Sequence, residues 1–213
     1  MFSELIKRTI TSIVIFVLTF YCFVKGSYFF NTLILLIFFT SIYEWYKLAL
    51  NKLLFIFGFF FILLSVIAAY ILRNDNLSFF MLVILVSVFT DLGGFICGKI
   101  FKGPKLTKLS PNKTYSGSLG SFVFSIILSF FYIKFIDNTL INNIKINFTE
   151  YLFTIVFLSS VSQIGDLVVS YFKRLRNIKN TGKIFPGHGG LLDRIDGIIF
   201  TVPTSYLIIF LFF

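Results

Sequence analysis

Long apolar stretches separated by short polar segments make up most of the chain. Seven stretches approach the roughly 20 residues that a helix needs to cross a bilayer core. They are Thr9–Val24, Tyr28–Trp45, Leu53–Leu72, Leu77–Ile100, Ser118–Ile136, Tyr151–Phe172 and Leu192–Phe213. The pattern predicts an all-α, polytopic transmembrane protein with about seven spans.

Basic residues are distributed unevenly between the polar segments. With the N-terminus inside, the cytoplasmic segments hold 15 Lys and Arg and the opposite side holds 4. Cytoplasmic loops carry an excess of Lys and Arg in membrane proteins. We therefore expect a cytoplasmic N-terminus, an external C-terminus, and the two longest polar segments on the cytoplasmic side.

Composition agrees with a membrane protein and changes the interpretation of the charge. The chain of 213 residues is 57% hydrophobic, with 32 phenylalanines and a formal net charge of +10. A soluble domain of this length has too little interior for so much apolar surface. The charge thus indicates topology and attraction for anionic headgroups and phosphates, rather than nucleic acid. We expect one integral membrane domain, residues 1–213, with N-terminal spans in 1–76 and a catalytic half in 77–213.

The most polar interruption lies over residues 162–197, between the sixth and seventh apolar stretches. Five cations follow Phe172, and a Pro-Gly-His-Gly-Gly turn then leads into Asp-Arg-Ile-Asp. Charged groups at membrane depth are expensive and by default indicate a functional site. The candidate residues are Asp166, Ser170, Lys173, Arg174, Lys179, His188, Gly189, Gly190, Asp193, Arg194 and Asp196.

A second polar segment, residues 90–121, precedes the fifth apolar stretch. An aspartate is followed by small residues and Gly-Lys, and then by Ser-Pro-Asn-Lys-Thr, which offers hydroxyls and an amine to a phosphate. The string alone is a weak signal. Its candidate binding residues are Asp91, Lys99, Ser110, Pro111, Lys113 and Thr114.

Both segments resemble the phosphatidate cytidylyltransferase (CDP-diacylglycerol synthase) family. The family pattern of Ser, Lys-Arg, Lys-Asp, Pro-x-His-Gly-Gly and Asp-Arg-x-Asp is met over residues 170–196, except that Asn180 replaces an Asp. In the other segment Ser116 replaces the usual Glu. So many fixed residue types make the match far more specific than a lone glycine motif. The two segments cover the C-terminal half, with motif loops at 99–117 and 173–191, whereas the N-terminal spans match only in hydropathy.

The carboxylates of these segments are the candidate metal ligands. Mg²⁺ takes hard oxygens, usually one or two carboxylates plus substrate phosphates. Asp166 and Asp193 lie at the ends of adjacent spans, and the resemblance also favours them as ligands. For Asp91 and Asp196, pairing with an arginine or capping a helix is an equally good interpretation. Whether a second, monovalent cation binds stays open.

The cations suit the phosphates of a nucleotide and of a lipid, because a guanidinium matches phosphate oxygens in pairs. Topology alone explains the sign of the charge but not its fixed spacing with Gly, Pro and Asp. Gly189 and Gly190 would let backbone N–H groups approach a phosphate at a helix N-terminus, although a bare loop is the simpler alternative. His188 is the only histidine, so a zinc cluster is not expected, and it either donates to a phosphate or holds the turn.

The resemblance implies transfer of CMP from CTP to phosphatidic acid, giving CDP-diacylglycerol and pyrophosphate in phospholipid biosynthesis. It also implies Mg²⁺ and a bacterial inner membrane location with the active site facing the cytoplasm. A homodimer stays open. Two alternatives remain: another CTP-dependent lipid enzyme such as a polyprenol kinase, and a catalytically degenerate or transport-like relative. The D-G-x-x-A-R signature of CDP-alcohol phosphotransferases does not occur in the chain.

Overall fold

A computed structural model describes residues 17–107, 110, 113–135, 148–182, 184 and 189–212. These residues are almost entirely helical, with a single isolated bridge in place of strands. The helices are α1 (residues 17–25), α2 (Ser27–Leu48), α3 (Lys52–Asp75), α4 (Leu77–Phe101), α5 (Tyr115–Phe135), α6 (Phe148–Leu175) and α7 (Leu192–Phe212). The all-α prediction is confirmed for the described part of the chain.

Helix boundaries lie up to a turn outside the predicted apolar stretches. Hydropathy detects the apolar part of a helix, whereas backbone hydrogen bonding continues until a capping residue stops it. Asn51 Oδ1 accepts a hydrogen bond from Leu54 N at 2.8 Å near the start of α3. Asn76 Oδ1 does the same for Phe79 N at 3.0 Å at the start of α4. Asparagine is a preferred residue at such positions.

Five of the helices are long and apolar enough to cross a membrane, by length and composition. They are α2, α3, α4, α5 over Tyr115–Lys134, and α6. The last helix, α7, is not among them, and its first five residues include two aspartates and an arginine. Half of the first predicted span, residues 9–16, falls outside the described residues. The count of seven spans and the orientation of the termini therefore stay predictions.

The chain divides into two compact units. The first unit comprises Met1–Ile71 and Phe172–Ile195, and the second comprises Leu72–Tyr171 and Asp196–Phe213. The boundaries between them fall within α3, α6 and α7. The described residues of the 173–191 motif loop thus belong to the same unit as the N-terminal helices, and those of the 99–117 loop belong to the other unit.

The core of the first unit is built around Trp45, near the end of α2. Its indole Nε1 donates to Leu54 O at 3.2 Å, and its ring meets Phe172 edge to face with 5.0 Å between centroids. A Cβ atom on Gly58 of α3 would overlap the indole ring. The indole therefore occupies the space that a side chain at position 58 would need. This packing fixes the end of α2 against α3 and the end of α6.

In the second unit, α4 and α5 approach each other through glycines. A Cβ on Gly117 would lie 2.8 Å from Gly94 O, and one on Gly93 would lie 2.6 Å from Phe124 Cβ. Small residues allow close backbone contact between membrane helices, where lipid supplies little hydrophobic drive for association. The buried hydroxyl of Thr90 donates to Ser159 Oγ at 2.9 Å and ties α4 to α6. The run of small residues after Asp91 is therefore a helix-packing surface.

Candidate functional site

The loop between α4 and α5 is held by its own backbone. Leu106 N donates to Lys113 O at 2.8 Å, and Tyr115 N donates to Pro104 O at 3.2 Å. The Ser116 hydroxyl donates to Lys102 O, and Ser116 Oγ lies 3.0 Å from Thr114 Oγ1. The serine that replaces the family's acidic residue therefore closes the loop. These contacts fix the backbone from which the Lys113 side chain projects.

Lys113 forms an ion pair with Asp166 of α6 within the second unit. The Nζ–Oδ2 distance is 2.5 Å, and the two side chains are 24% and 27% exposed. Ser170 Oγ donates to Asp166 Oδ1 at 3.3 Å from one helical turn further along. Two predicted binding residues and one predicted metal ligand are thus brought together, from segments 53 positions apart in the chain.

Asp193, at the start of α7, is the most highly connected carboxylate of the first unit. Its Oδ1 accepts from Lys173 Nζ at 2.8 Å, and the two side chains are only 10% and 12% exposed. Its Oδ2 accepts from Thr181 N at 2.8 Å, Gly190 N at 3.0 Å and Thr181 Oγ1 at 3.2 Å. Asp193 therefore pairs with a lysine, and its hydrogen bonds also hold Thr181 and Gly190 close to each other.

The two glycines of the turn are explained by packing. Gly189 has φ +93°, a left-handed conformation that a side chain strains. A Cβ on Gly190 would overlap Thr181 Oγ1 and lie 2.5 Å from Glu44 Oε2. The N–H of Gly190 is already bonded to Asp193, so the anion at this N–H is the protein's own carboxylate. The prediction that this turn cradles a substrate phosphate remains untested.

Glu44 of α2 is a residue that the sequence interpretation missed. It is fully buried, and its Oε1 accepts from Leu191 N at 2.9 Å. Its Oε2 accepts from Leu192 N at 2.8 Å and from Thr181 Oγ1 at 2.6 Å. The available signal was a single carboxylate inside an otherwise apolar predicted span, which by default indicates function.

Arg176 supports the same unit from another direction. Its Nε donates to Leu48 O at 3.2 Å, and its Nη2 donates to Ala49 O. These are carbonyls at the C-terminal end of α2, where a cation is favourable because the last carbonyls lack helical partners. This arginine was counted among the cytoplasmic cations, and the structure places it as a helix cap.

The remaining candidates differ in burial. Asp196 is buried at 6% exposure, and its Oδ1 accepts from Gly197 N at 2.9 Å. Ser110 is half-buried. The exposed candidates are Asp91, Lys99, Arg174, Lys179 and Arg194. Pro111 and His188 lie outside the described residues, so nothing tests their predicted roles.

Asp166 and Asp193 each suit a metal ion through one oxygen. A carboxylate has about four lone-pair positions. The Oδ2 of Asp193 is used by three donors, which leaves Oδ1, shared with Lys173. Asp166 has Lys113 on Oδ2 and only the longer Ser170 contact on Oδ1. The described residues contain no cluster of three or more His, Cys, Asp and Glu. That both aspartates hold one Mg²⁺ stays a prediction.

The chain is similar to curated proteins named phosphatidate cytidylyltransferase. It is 38% identical over 135 residues to the protein of Staphylococcus haemolyticus, which is 63% of this chain and 50% of the relative. For Rickettsia conorii the values are 44% over 138 residues, 64% and 60%. For Rickettsia felis they are 38% over 170 residues, 78% and 74%. The chain thus spans about half to three fifths of the length of the first two.

The family model supports the same conclusion over a longer stretch. The model described as "Cytidylyltransferase family" matches residues 50–212. This range includes both polar segments, both lysine–aspartate pairs and the five helices α3 to α7. The chain belongs to the cytidylyltransferase family.

Proposed function

We propose that this protein is a phosphatidate cytidylyltransferase, which transfers CMP from CTP to phosphatidic acid and releases pyrophosphate. The observation that carries the proposal is the family match over residues 50–212, which contain both motif segments. The relatives bearing that name support the choice of substrates. The apolar helices support a location in the bilayer, where the lipid substrate is found.

The proposed reaction needs positioning and charge neutralisation more than acid–base chemistry. An oxygen of the phosphatidate phosphate, already ionised, attacks the α-phosphorus of CTP and forms a new P–O bond. The bond from the α-phosphorus to the oxygen bridging to the β-phosphate breaks, and pyrophosphate leaves with the electron pair. Both substrates are highly anionic, so the protein must hold them in line and offset the charge that develops.

The described residues have chemistry suited to those tasks. Arg174, Lys179 and Arg194 are exposed cations of the 162–197 segment and would bind phosphate oxygens. Lys113 and Lys173 are held by aspartates, so their positions are fixed before substrate binds. Mg²⁺, bound through Asp166 and Asp193, would supply additional positive charge on the transferring phosphates.

Radiolabelled CTP tests the proposal on the purified chain in detergent–lipid micelles. We expect label to appear in a lipid cytidine diphosphate ester when phosphatidic acid is present, with release of pyrophosphate. In a parallel reaction with CTP labelled at the γ-phosphate, label on a polyprenol would instead indicate a lipid kinase, because a kinase transfers the terminal phosphate. No labelled lipid from either acceptor would contradict the proposal and favour a degenerate or transport-like relative.

A variant with family residues restored at both departures separates weak activity from none. Asn180→Asp with Ser116→Glu puts back the two acidic residues that the family pattern carries. We expect the natural protein to be active already, because Ser116 closes its loop by hydrogen bonds and Asn180 keeps one oxygen acceptor. A silent natural protein beside an active double variant would show that the chain is a degenerate relative.

The proposed orientation places both motif loops in the cytoplasm, where CTP is available. We expect Lys105→Cys to react with a membrane-impermeant thiol reagent only from the cytoplasmic face, and Asn74→Cys only from the opposite face. The reason is the uneven distribution of basic residues. Cys22 and Cys97 are free thiols and are first replaced by alanine to remove background. Labelling on the reversed faces, scored in sealed inverted vesicles and intact cells, would overturn the topology.

A further inference from the structure

Among the described residues of the first unit, Glu44 carries the most buried charge, and it lies far in sequence from its partners. It comes from α2, whereas its three hydrogen-bond donors belong to residues 181–192, between 137 and 148 positions along the chain. Burying a carboxylate is costly unless hydrogen bonds compensate, and here both oxygens have donors at 2.6 to 2.9 Å. A side chain placed at such cost requires an explanation.

Two of the three donors on Glu44 are backbone N–H groups at the start of α7. Leu191 N and Leu192 N precede the helical hydrogen-bonding pattern and have no acceptor within the helix. Glu44 takes one of them on each oxygen, so its two oxygens fix both the position and the direction of the start of α7. A negative charge is also favourable at this end of a helix.

Asp193 follows Leu192 directly, so whatever fixes the start of α7 fixes Asp193. Thr181 joins the two carboxylates a second time. Its Oγ1 lies 2.6 Å from Glu44 Oε2 and 3.2 Å from Asp193 Oδ2. A hydroxyl has one proton to donate. The two carboxylates therefore share that proton, with the shorter distance to Glu44, and the Thr181 backbone N–H also holds Asp193 at 2.8 Å.

The surrounding backbone is shaped to admit the Glu44 carboxylate. A Cβ on Gly182 would lie 2.5 Å from its Oε1, and a Cβ on Gly190 would lie 2.5 Å from its Oε2. Glycines thus line both sides of the carboxylate, in the stretch that carries the Gly-Gly turn. The glycine positions and the glutamate form one arrangement, although they come from opposite ends of the chain.

We propose that Glu44 is a positioning residue for the active site: it holds Thr181 and the first turn of α7 so that Asp193 is presented in one fixed orientation. The inference rests on the proposed function, in which Asp193 takes part in CMP transfer. Glu44 touches no substrate in this assignment and acts through the residues that it holds.

The decisive variant is Glu44→Gln, which keeps the size of the side chain. An amide carries one NH₂ group in place of an oxygen, so it must face one of the N–H donors with another donor. Glu150→Gln, at the exposed start of α6, is the matched control. We expect kcat per folded molecule to fall about 10- to 100-fold in Glu44→Gln, with little change in KM for CTP, because small displacements of supporting groups act on the chemical step.

Hydrogen exchange gives a readout that does not depend on turnover. The amides of residues 189–193 should exchange faster in Glu44→Gln than in the parent, and at the parent rate in Glu150→Gln. Unchanged kcat per folded molecule, or unchanged exchange of this segment, would overturn the proposal. A lower yield of folded protein at full kcat would show that Glu44 only stabilises the fold, and would overturn it as well.

Two threonine variants decide the matter if Glu44→Gln does not fold. Thr181→Val removes the shared hydroxyl at nearly constant volume, and Thr181→Ser retains it. We expect Thr181→Val to lose kcat and Thr181→Ser to keep most of it; equal kcat in the two would contradict the proposal. If the parent protein shows no CMP transfer, only the proposed function is refuted. Hydrogen exchange would then decide whether Glu44 holds the start of α7.

Discussion

Asp193→Asn and Asp166→Asn are each expected to lower CMP transfer at least about 100-fold, the scale for losing one group that stabilises transition-state charge. Each change removes a negative charge beside a motif lysine and one oxygen of the proposed Mg²⁺ site. The stability effects should differ. Asp193 accepts from four donors, so its replacement should also lower the melting temperature, whereas Asp166 has two partners and greater exposure.

Turnover at saturating Mg²⁺ and thermal unfolding in detergent measure the two effects separately. Asp75→Asn, at the exposed end of α3, is the control for removing a carboxylate outside the motif segments. Turnover near the parent value in either motif variant would contradict its place in the active site. Equal melting temperatures for the two motif variants would contradict the structural difference between them.

Gly190→Ala is expected to destabilise the protein by about 1–3 kcal/mol, the typical effect of overfilling a packed site. It should also remove most of the activity. The added methyl would overlap the Thr181 hydroxyl and press on the Glu44 carboxylate, so it would displace the turn to which Asp193 is bonded. Thermal unfolding and CMP transfer on the same preparation test both statements.

Gly98→Ala provides the contrast, because Gly98 also matches the family pattern. The nearest atom to its added Cβ is Thr114 Oγ1 at 3.2 Å, and the position lies inside α4, where alanine is the better helix former. We expect a small change in stability. If Gly98→Ala is as damaging as Gly190→Ala, the steric explanation for the turn is wrong.

Hydropathy was sufficient to predict the type and approximate position of the described helices α2 to α7, because each contains a long apolar run. It was less informative about where these helices end. Asn51 and Asn76 accept hydrogen bonds at the starts of α3 and α4, which lie within one residue of the predicted starts. At their C-terminal ends α2, α3 and α6 extend three residues past the predicted spans, because hydropathy detects only the apolar part of a helix.

The motif residues of the site could be predicted because their types and spacing are so specific. Which of them form pairs could not be predicted. Lys113 and Lys173 were interpreted as phosphate ligands, and Asp166 and Asp193 as metal ligands. The structure pairs each lysine with one of the aspartates. Spacing along the chain identifies which groups are present, and only the packing of distant segments determines which of them meet.

Glu44 shows the same difficulty in its strongest form. Its hydrogen-bond donors lie more than 130 positions away in the chain. The residues around Glu44 therefore give no indication that it binds the start of another helix. The one local sign was its charge within an apolar span. Arg176 is similar: among several cytoplasmic cations, only the structure separates the one that caps α2.

The packing of Trp45 gives the protein a built-in optical reporter. It is the only tryptophan in the chain, it is 8% exposed, and it follows Glu44 directly in α2. Its ring fills the gap at Gly58 and meets Phe172 of α6. Intrinsic fluorescence selected for tryptophan therefore comes from one place, the α2 end that supports the Asp193 turn. Its emission wavelength and quenching follow the integrity of that support in the unlabelled protein.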